Sequence, residues 1–256
     1  MELYQLRSSL IRPGDSIVSK FSEALSRRNV RLRDGDIVAM ASKAVAIAEG
    51  RLRPLSQVRP SRRAIRLGRQ YSLPPDFVQV VINEADHVYG GVKGALLTLT
   101  KGEATANAGA DQKNSPKGLV VLWPANPDIS ARKIRVSVSR TFRRRIGVVI
   151  VDSRVTPLRL GTVGLALGSS GVEPIKDFRR KPDLYGRRAR ITFHAVADDI
   201  ASAAHLVMGE GRERTPFVIV RGAPVRLTDN DGRRIRLSVE ECLYMSQVSN
   251  RTRRRS

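Results

Sequence analysis

Residues 147–153 read "GVVIVDS", a short unbroken apolar run that ends on a carboxylate and a hydroxyl. Such a run is expected of a strand covered on both faces, because a half-exposed strand would alternate apolar with polar residues. Upstream, "NPDISARKIRVSVSRTF" (126–142) supplies an Asn N-cap, a first-turn Pro and a buried side of Ile134, Val138 and Phe142, which predicts a helix. Downstream, "TVGLALGSSG" (162–171) and "ARITFHAV" (189–196) are strand candidates. "AVADDIASAAHLVMGEG" (195–211) predicts a helix with two aspartates near its positive end and glycines at its exit, and "PFVIVRG" (216–222) another strand.

The same reading extends to the ends. "DSIVSKFSEALSRRN" (15–29) has Ile17, Val18, Phe21 and Leu25 at helical spacing, with Asp15 or Ser16 as N-cap. After a turn at "RDGD", "IVAMASKAVAIAEG" (37–50) reads as one or two strands. "RPSRRAIRLGRQY" (59–71) predicts a short basic helix, "PPDFVQVVINEADHV" (74–88) a helix opened by prolines, and "SVEECLYMSQV" (238–248) a last helix. Short strands are expected at 94–100 and 119–123. Strands and helices mix without the strict alternation of a Rossmann fold, so the expected class is mixed α/β (α+β). The 256 residues suit one domain over 1–250 with room for two lobes, followed by a basic, disordered tail at 251–256.

The charge is unusual: 46 Lys and Arg against 24 Asp and Glu, a net +22. That excess favours anionic partners such as nucleic acid, phosphorylated metabolites or a membrane surface. It concentrates in "ARKIRVSVSRTFRRR" (131–145) and "KDFRRKPDLYGRRAR" (176–190), while aromatics at 5% are too few for a surface built on base stacking. A single cysteine, Cys242, excludes an internal disulfide framework and a Cys-based zinc site. No apolar run approaches the roughly 20 residues of a membrane span and no signal-peptide pattern opens the chain, so a cytoplasmic protein with no membrane partner is expected. There is no G-x-x-x-x-G-K-[ST], G-x-G-x-x-G or H-E-x-x-H, and His87, His194 and His205 are scattered, each read as structural.

The acids say more. Asp152 closes an apolar strand, where α/β proteins bind ligands, although a strand-end Asp is equally a turn former. Glu84 falls on the apolar stripe of Phe77, Val80, Val81 and Val88, so it needs an arginine partner or a metal. Glu210 stands between Gly209 and Gly211, as a loop near a phosphate or metal would, or as an ordinary helix exit. In "NAGADQKN" (107–114), Asp111 sits between two amides, in a composition that suits a turn as well as an ion site. Hard cations take such oxygens together with phosphate oxygens.

Specific stretches then carry a family resemblance: "ASKAVAIAEGR" (41–51), "NAGADQKN" (107–114), "VVIVDSRVTPLRLGTVGLALGSSGVEPIKDF" (148–178), "KPDLYGR" (181–187) and "VADDIASAAHLVMGEG" (196–211). In this order they resemble the coenzyme F-420-0:L-glutamate ligases, the γ-glutamyl ligases of deazaflavin cofactor synthesis. The resemblance implies a two-lobed, intertwined homodimer and a GTP-dependent peptide ligase. Its substrates would be an anionic deazaflavin phospholactate, activated as an acyl phosphate, and L-glutamate, with further γ-linked glutamates added. It implies Mg²⁺ or Mn²⁺, with K⁺ as a further cation. Metal ligands would be Asp111, Asp152, Ser153 (where Thr is usual) and Glu210 (where Gln is typical). Nucleotide contacts would be Ser8, Ser9, Leu10, Ser42, Lys43, Asn114, Met208, Gly209, Gly211, Arg212 and Thr215. Arg159, Lys176 and Lys181 are candidates for holding the anionic acceptor, and no general base is assigned. Two departures stand out: Ile47 replaces a second lysine, and "DSRVTPLRLG" lacks the Gly-Arg pair of "DTxGRPxRxG". They leave open a relative acting on another carboxylate, such as a folate-like acceptor, or a basic nucleic-acid-binding protein on the same scaffold.

Overall fold

A computed structural model of the protein describes residues 1–229 and 236–248; the expected tail at 251–256 lies outside the described residues. In chain order the elements are β1 (Glu2–Leu6), α1 (Ile17–Arg28), β2 (Ile37–Ala41), α2 (Ser42–Ala48), β3 (Leu52–Pro54), α3 (Arg62–Tyr71) and α4 (Pro75–Glu84). There follow β4 (His87–Val92), β5 (Ala95–Thr100), β6 (Glu103–Ala106), β7 (Leu119–Val121), α5 (Pro127–Phe142), β8 (Gly147–Val155) and β9 (Thr162–Ser170). β10 (Lys176–Asp177), β11 (Phe193–His194), α6 (Val196–Met208) and β12 (Phe217–Arg221) complete them. The mixed α/β class is as expected. The chain divides into two compact units, described residues 1–50 with 124–229, and 51–123 with 236–248.

The first unit is built on a five-stranded sheet of order β1-β12-β2-β8-β9. Only β2 and β8 run parallel; the other three pairings are antiparallel. One face packs on α6: Ile37, Ala39, Val149, Val151, Ala166, Val218 and Val220 meet Val196, Ala197, Ile200, Ala201, Ala204 and Met208. On the other face Phe21 of α1 sets its edge against Phe217 of β12 and Phe142 of α5, with ring centroids 5.6 and 6.2 Å apart. Aromatic contacts in this geometry add to the burial of the rings. Residues 147–151 are therefore covered on both sides, which is why their sequence shows no alternation.

β9 carries the helices at close range. A Cβ on Gly164 would stand 2.3 Å from the Ala201 carbonyl oxygen, and one on Gly168 would stand 2.5 Å from the Pro127 carbonyl carbon. The pairing steps from Ile150↔Gly168 to Val151↔Ala166, a bulge that places Leu167 out of register just before Asp152. There the Ala166 amide donates to the Asp198 carboxylate at 2.9 Å, fastening the first turn of α6 to the strand. Burial pushes the Asp198 carboxyl above its usual value, against that hydrogen bond and the charge of Arg154.

The second unit holds a β4-β5-β6 meander, the β3-β7 pair, and α3 and α4. Its core gathers Ala64, Phe77, Val78, Val80, Val81, Leu96, Ala108, Ala110, Val120 and Leu122.

Four boundaries differ from the sequence reading. Residues 42–48 are helical rather than extended: "SKAVAIA" has buried residues on most sides, so no period marks it, and alanine favours the helix. α4 stops at Glu84, because the backbone turns extended at Ala85 and enters β4 at His87. Within 189–196 only Phe193–His194 forms a strand. Within 238–248 the helix is confined to 245–248.

Asp36 is 1% exposed and accepts two hydrogen bonds from Arg221, 2.8 and 2.7 Å, while Arg221 lies 5.0 Å over the Tyr4 ring. Asp36→Ala would leave the guanidinium without its buried partner. The expected loss is about 3–5 kcal/mol, read as a fall in the urea midpoint of the full chain. A loss under about 1 kcal/mol would show the pair to behave as a surface bridge.

Candidate functional site

The parallel register of β2 and β8 stops with Ala41 beside Val151, where β2 ends and its next residue, Ser42, meets that of β8, Asp152. β8 itself runs on to Val155 against β9, so Asp152 lies within the strand rather than closing it as the sequence suggests. The Ser42 hydroxyl, buried at the first position of α2, donates to the Asp152 carboxylate at 2.6 Å. Lys43 follows on the same turn, half-buried.

One residue further along β8, Ser153 belongs to a second group. The Glu210 carboxylate accepts from the Thr162 hydroxyl at 2.9 Å, faces the His205 ring nitrogen at 2.8 Å and is hydrogen-bonded by Ser153. Burial alone would raise the Glu210 carboxyl; the hydrogen bonds from His205 and Thr162, the His205 charge and the Ser153 hydroxyl outweigh it and hold the group below its ordinary value. Thr162 and His205 were not singled out in the sequence. His205 reads as one of three scattered histidines, and only its position five residues before Glu210, across the exit of α6, could have marked it.

That exit is itself ordered. The Thr215 hydroxyl donates to the Met208 carbonyl at 2.7 Å, and the Glu213 carboxylate accepts from the Gly211 amide at 2.7 Å while lying over Gly209. The N-terminal stretch joins it through the Ser8 amide, which donates to the Arg214 carbonyl at 2.8 Å. Ser8 is 6% exposed, and among the described residues its hydroxyl has no hydrogen-bond partner. Ser9 accepts from Lys20 at 3.2 Å, and Leu10 and Arg212 are exposed. Ser8, Gly211 and Thr215, dispersed in the sequence, thus share one loop system.

In the second unit, "NAGADQKN" is a built loop. The Asn107 carboxamide accepts from the Leu96 amide at 2.8 Å, and the Ala108 amide donates to the Thr98 hydroxyl at 2.9 Å. Asp111 exchanges both backbone hydrogen bonds with Val121 at 2.9 Å, and its carboxylate accepts from the Lys113 amide at 2.7 Å. Asn107, Ala108 and Asn114 are all left-handed. Gly109, at φ +72°, lies under the Trp123 ring, which a Cβ would approach to 2.2 Å.

The remaining candidates fall elsewhere. Glu84 meets Arg51 at 2.7 Å, and Arg51 also donates to the Trp123 carbonyl at 3.0 Å, so the arginine alternative is the one realised. Arg159 is exposed in a turn closed on Thr156. Lys176 and Lys181 both stand over the Phe178 ring, 5.2 and 4.8 Å from its centroid. Among the described residues, no group of three or more His, Cys, Asp or Glu side chains is arranged to hold a metal ion. Around Asp152 and Glu210 stand carboxylate and hydroxyl oxygens, with the His205 ring nitrogen beside Glu210; the oxygens suit a hard cation that completes its shell with phosphate oxygens and water. No helix of the described residues is long and apolar enough to cross a membrane.

The family model described as F420-0:Gamma-glutamyl ligase matches residues 5–222. A protein of Archaeoglobus fulgidus named coenzyme F420:L-glutamate ligase is 39% identical over 84% of this chain and 85% of its own length. Proteins of the same name from Methanocaldococcus jannaschii and Methanopyrus kandleri are 36% and 38% identical, over 95% and 88% of this chain and 96% and 87% of theirs.

Trp123 is the chain's one tryptophan and reports on the 107–114 loop. Gly109→Ala should cost more than about 1 kcal/mol in unfolding followed by tryptophan emission, and should shift the native emission to the red. An unchanged midpoint and spectrum would mean that the ring does not rest on this glycine.

Proposed function

The chain belongs to the F420-0:Gamma-glutamyl ligase family, and from that premise we propose that it joins L-glutamate to the carboxylate of coenzyme F420-0 in a GTP-dependent reaction. The carrying observation is the Ser42–Asp152 hydrogen bond at the carboxyl end of β2, where its pairing with β8 stops. It fixes a carboxylate at the position where sheets of this type meet ligands.

In this reading an acceptor carboxylate oxygen attacks the γ-phosphorus of GTP and GDP departs, leaving an acyl phosphate. The amine of glutamate then attacks the acyl carbon, loses a proton and expels phosphate. Phosphoryl transfer asks a protein for positioning and charge compensation rather than a side-chain nucleophile. Asp152, Ser153 and Glu210 would hold Mg²⁺ or Mn²⁺, whose role when bound is to offset phosphate charge; Asp111 is the candidate ligand that the second unit carries by itself. Ser42 orients the Asp152 carboxylate, and Thr162 and His205 keep the Glu210 carboxylate ionised and directed. The partnerless Ser8 hydroxyl offers a hydrogen bond to a nucleotide group, as a buried unsatisfied hydroxyl calls for. Asn114, Lys43 and the 208–215 loop are the further nucleotide contacts of this reading, with Arg159, Lys176 and Lys181 for the anionic acceptor.

The same reading includes a homodimer. Leu158, Leu160, Leu184 and Ile191 are each at least 85% exposed, more bare aliphatic surface than these two loops need if they stay in water.

Full-length protein with GTP, Mn²⁺, L-glutamate and F420-0 should yield GDP, phosphate and an acceptor heavier by glutamyl units in mass spectrometry. Asp152→Asn should lower the rate about 100-fold or more, and chelation should stop the reaction. No glutamylated product with either GTP or ATP would overturn the reading. For the dimer, light scattering should return about twice the 28.3 kDa chain mass, and Leu158→Ser with Leu160→Ser should move it toward the monomer.

A further inference from the structure

Between β9 and α6 the chain projects a basic arm. Residues 176–190 hold seven cations, Lys176, Arg179, Arg180, Lys181, Arg187, Arg188 and Arg190, against Asp177 and Asp183, a net +5. The ligase reading uses two of the lysines and leaves the arginines without a task. The arm's backbone is tied: Arg180 donates to the Ala189 carbonyl at 2.8 Å, Ala189 to the Lys181 carbonyl at 3.1 Å, and the Asp183 carboxylate accepts from the Tyr185 and Arg187 amides. Along this hairpin lies a cavity of about 1030 Å³ lined by Asp177, Ala189 and the five arginines.

Its one carboxylate is already taken. Arg179 grips both Asp177 oxygens, with hydrogen bonds down to 2.8 Å. Among the described residues the guanidinium groups of Arg180, Arg187, Arg188 and Arg190 have no ion-pair partner. Like charges gathered without counter-charge repel, and a concave group of forked donors is complementary to a ligand with several carboxylates or phosphates.

We propose that this arginine-lined cavity holds the oligo-γ-glutamyl chain of the growing product. The proposal rests on the ligase reading and names the part of the substrate that the reading leaves unplaced. A γ-linkage uses the side-chain carboxylate and leaves every α-carboxylate free, so each added residue contributes one more anion at regular spacing. Arginine forks along a cavity match that pattern, and retention of longer chains would favour further addition over release. Single-stranded nucleic acid is the weaker fit, because the Phe178 and Phe193 rings are already engaged by Lys176, Lys181 and Arg179 rather than open for stacking.

Calorimetry on the full-length protein, with tetra-γ-glutamate as probe and neither GTP nor acceptor present, tests the site directly. Tetra-γ-glutamate should bind at least about tenfold more tightly than free glutamate. The exposed pair Arg188→Gln/Arg190→Gln, shown to keep the parent's circular dichroism and oligomeric state, should lose about tenfold or more of that affinity. Arg62→Gln/Arg66→Gln on α3 is the control and should bind as the parent does. Equal binding of glutamate and tetra-γ-glutamate, or equal losses in both variants, overturns the proposal. Tighter binding of tripolyphosphate or of a single-stranded RNA, lost in the arm variant, also overturns it and assigns the cavity to phosphates.

In the ligation assay the arm variant should add the first glutamate at the parental rate but give shorter products. Parental product lengths from that variant sink the arm proposal and leave the ligase reading standing. Absence of any product from the parent sinks the ligase reading, while the binding measurement still decides whether the cavity takes the chain.

Discussion

Everything functional in the first unit depends on the parallel pairing of β2 with β8. Antiparallel neighbours would put one strand's end beside the other's beginning; parallel ones bring two carboxyl ends to the same edge. With Ala41 beside Val151, a serine and an aspartate that are 110 residues apart become hydrogen-bonded neighbours. The bulge between β8 and β9 lies one residue earlier, so the chain changes its pairing just where the apolar run gives way to polar side chains. Asp198 holds the β9 side of that irregularity to α6, and the exit of the same helix delivers Glu210 to Ser153. Sheet, bulge and helix thus form one mechanical unit with carboxylate and hydroxyl groups at its rim.

How much of this was legible depends on what kind of pattern each piece leaves. α1, α5 and α6 have apolar stripes, caps and charged ends, and they were read to within a few residues. β8 and β12 are buried on both faces and announce themselves by continuous hydrophobicity. α2 has no stripe and a single charge, Lys43, and reads as extended. β1 and β3 are not marked in the sequence because their partners, β12 and β7, lie far along the chain; β4 and β6 form local hairpins with β5, but their mixtures of polar and small residues carry no alternation. Among the site residues, the end of the apolar run marked Asp152, although β8 itself continues to Val155, and company within "NAGADQKN" marked Asp111. Thr162 and His205 carried no local mark, since their meaning comes from Glu210, which a strand register and a helix exit bring to them.

The charge excess resolves into unlike parts. In the 131–145 cluster, Arg135 and Arg145 share Asp229 at 3.6 and 3.2 Å, and Arg144 meets Asp34 at 3.5 Å. Arg144 and Arg145 are exposed cations with nearby acids and stabilise weakly, while Arg135 is mostly buried and also donates to the Ser170 hydroxyl. The 176–190 arm is different: its acids are consumed by one arginine and by backbone amides, and the remaining guanidinium groups converge on empty space. Seven cations in each of the two stretches therefore mark two situations, and only the second has the shape of a binding surface.

The interrupted layout of the chain has a consequence for biosynthesis. The second unit's segment 51–123 is inserted between β2 and the strand that completes it. At roughly 5–20 residues per second, a ribosome needs several seconds to extend the chain from β2 to β8. During that interval β2 has no parallel partner, and its all-apolar edge stays unsatisfied, while 51–123 emerges as one uninterrupted stretch. The order of emergence favours the inserted segment condensing first, with β12, the last strand made, and β1, which pairs only with it, closing last.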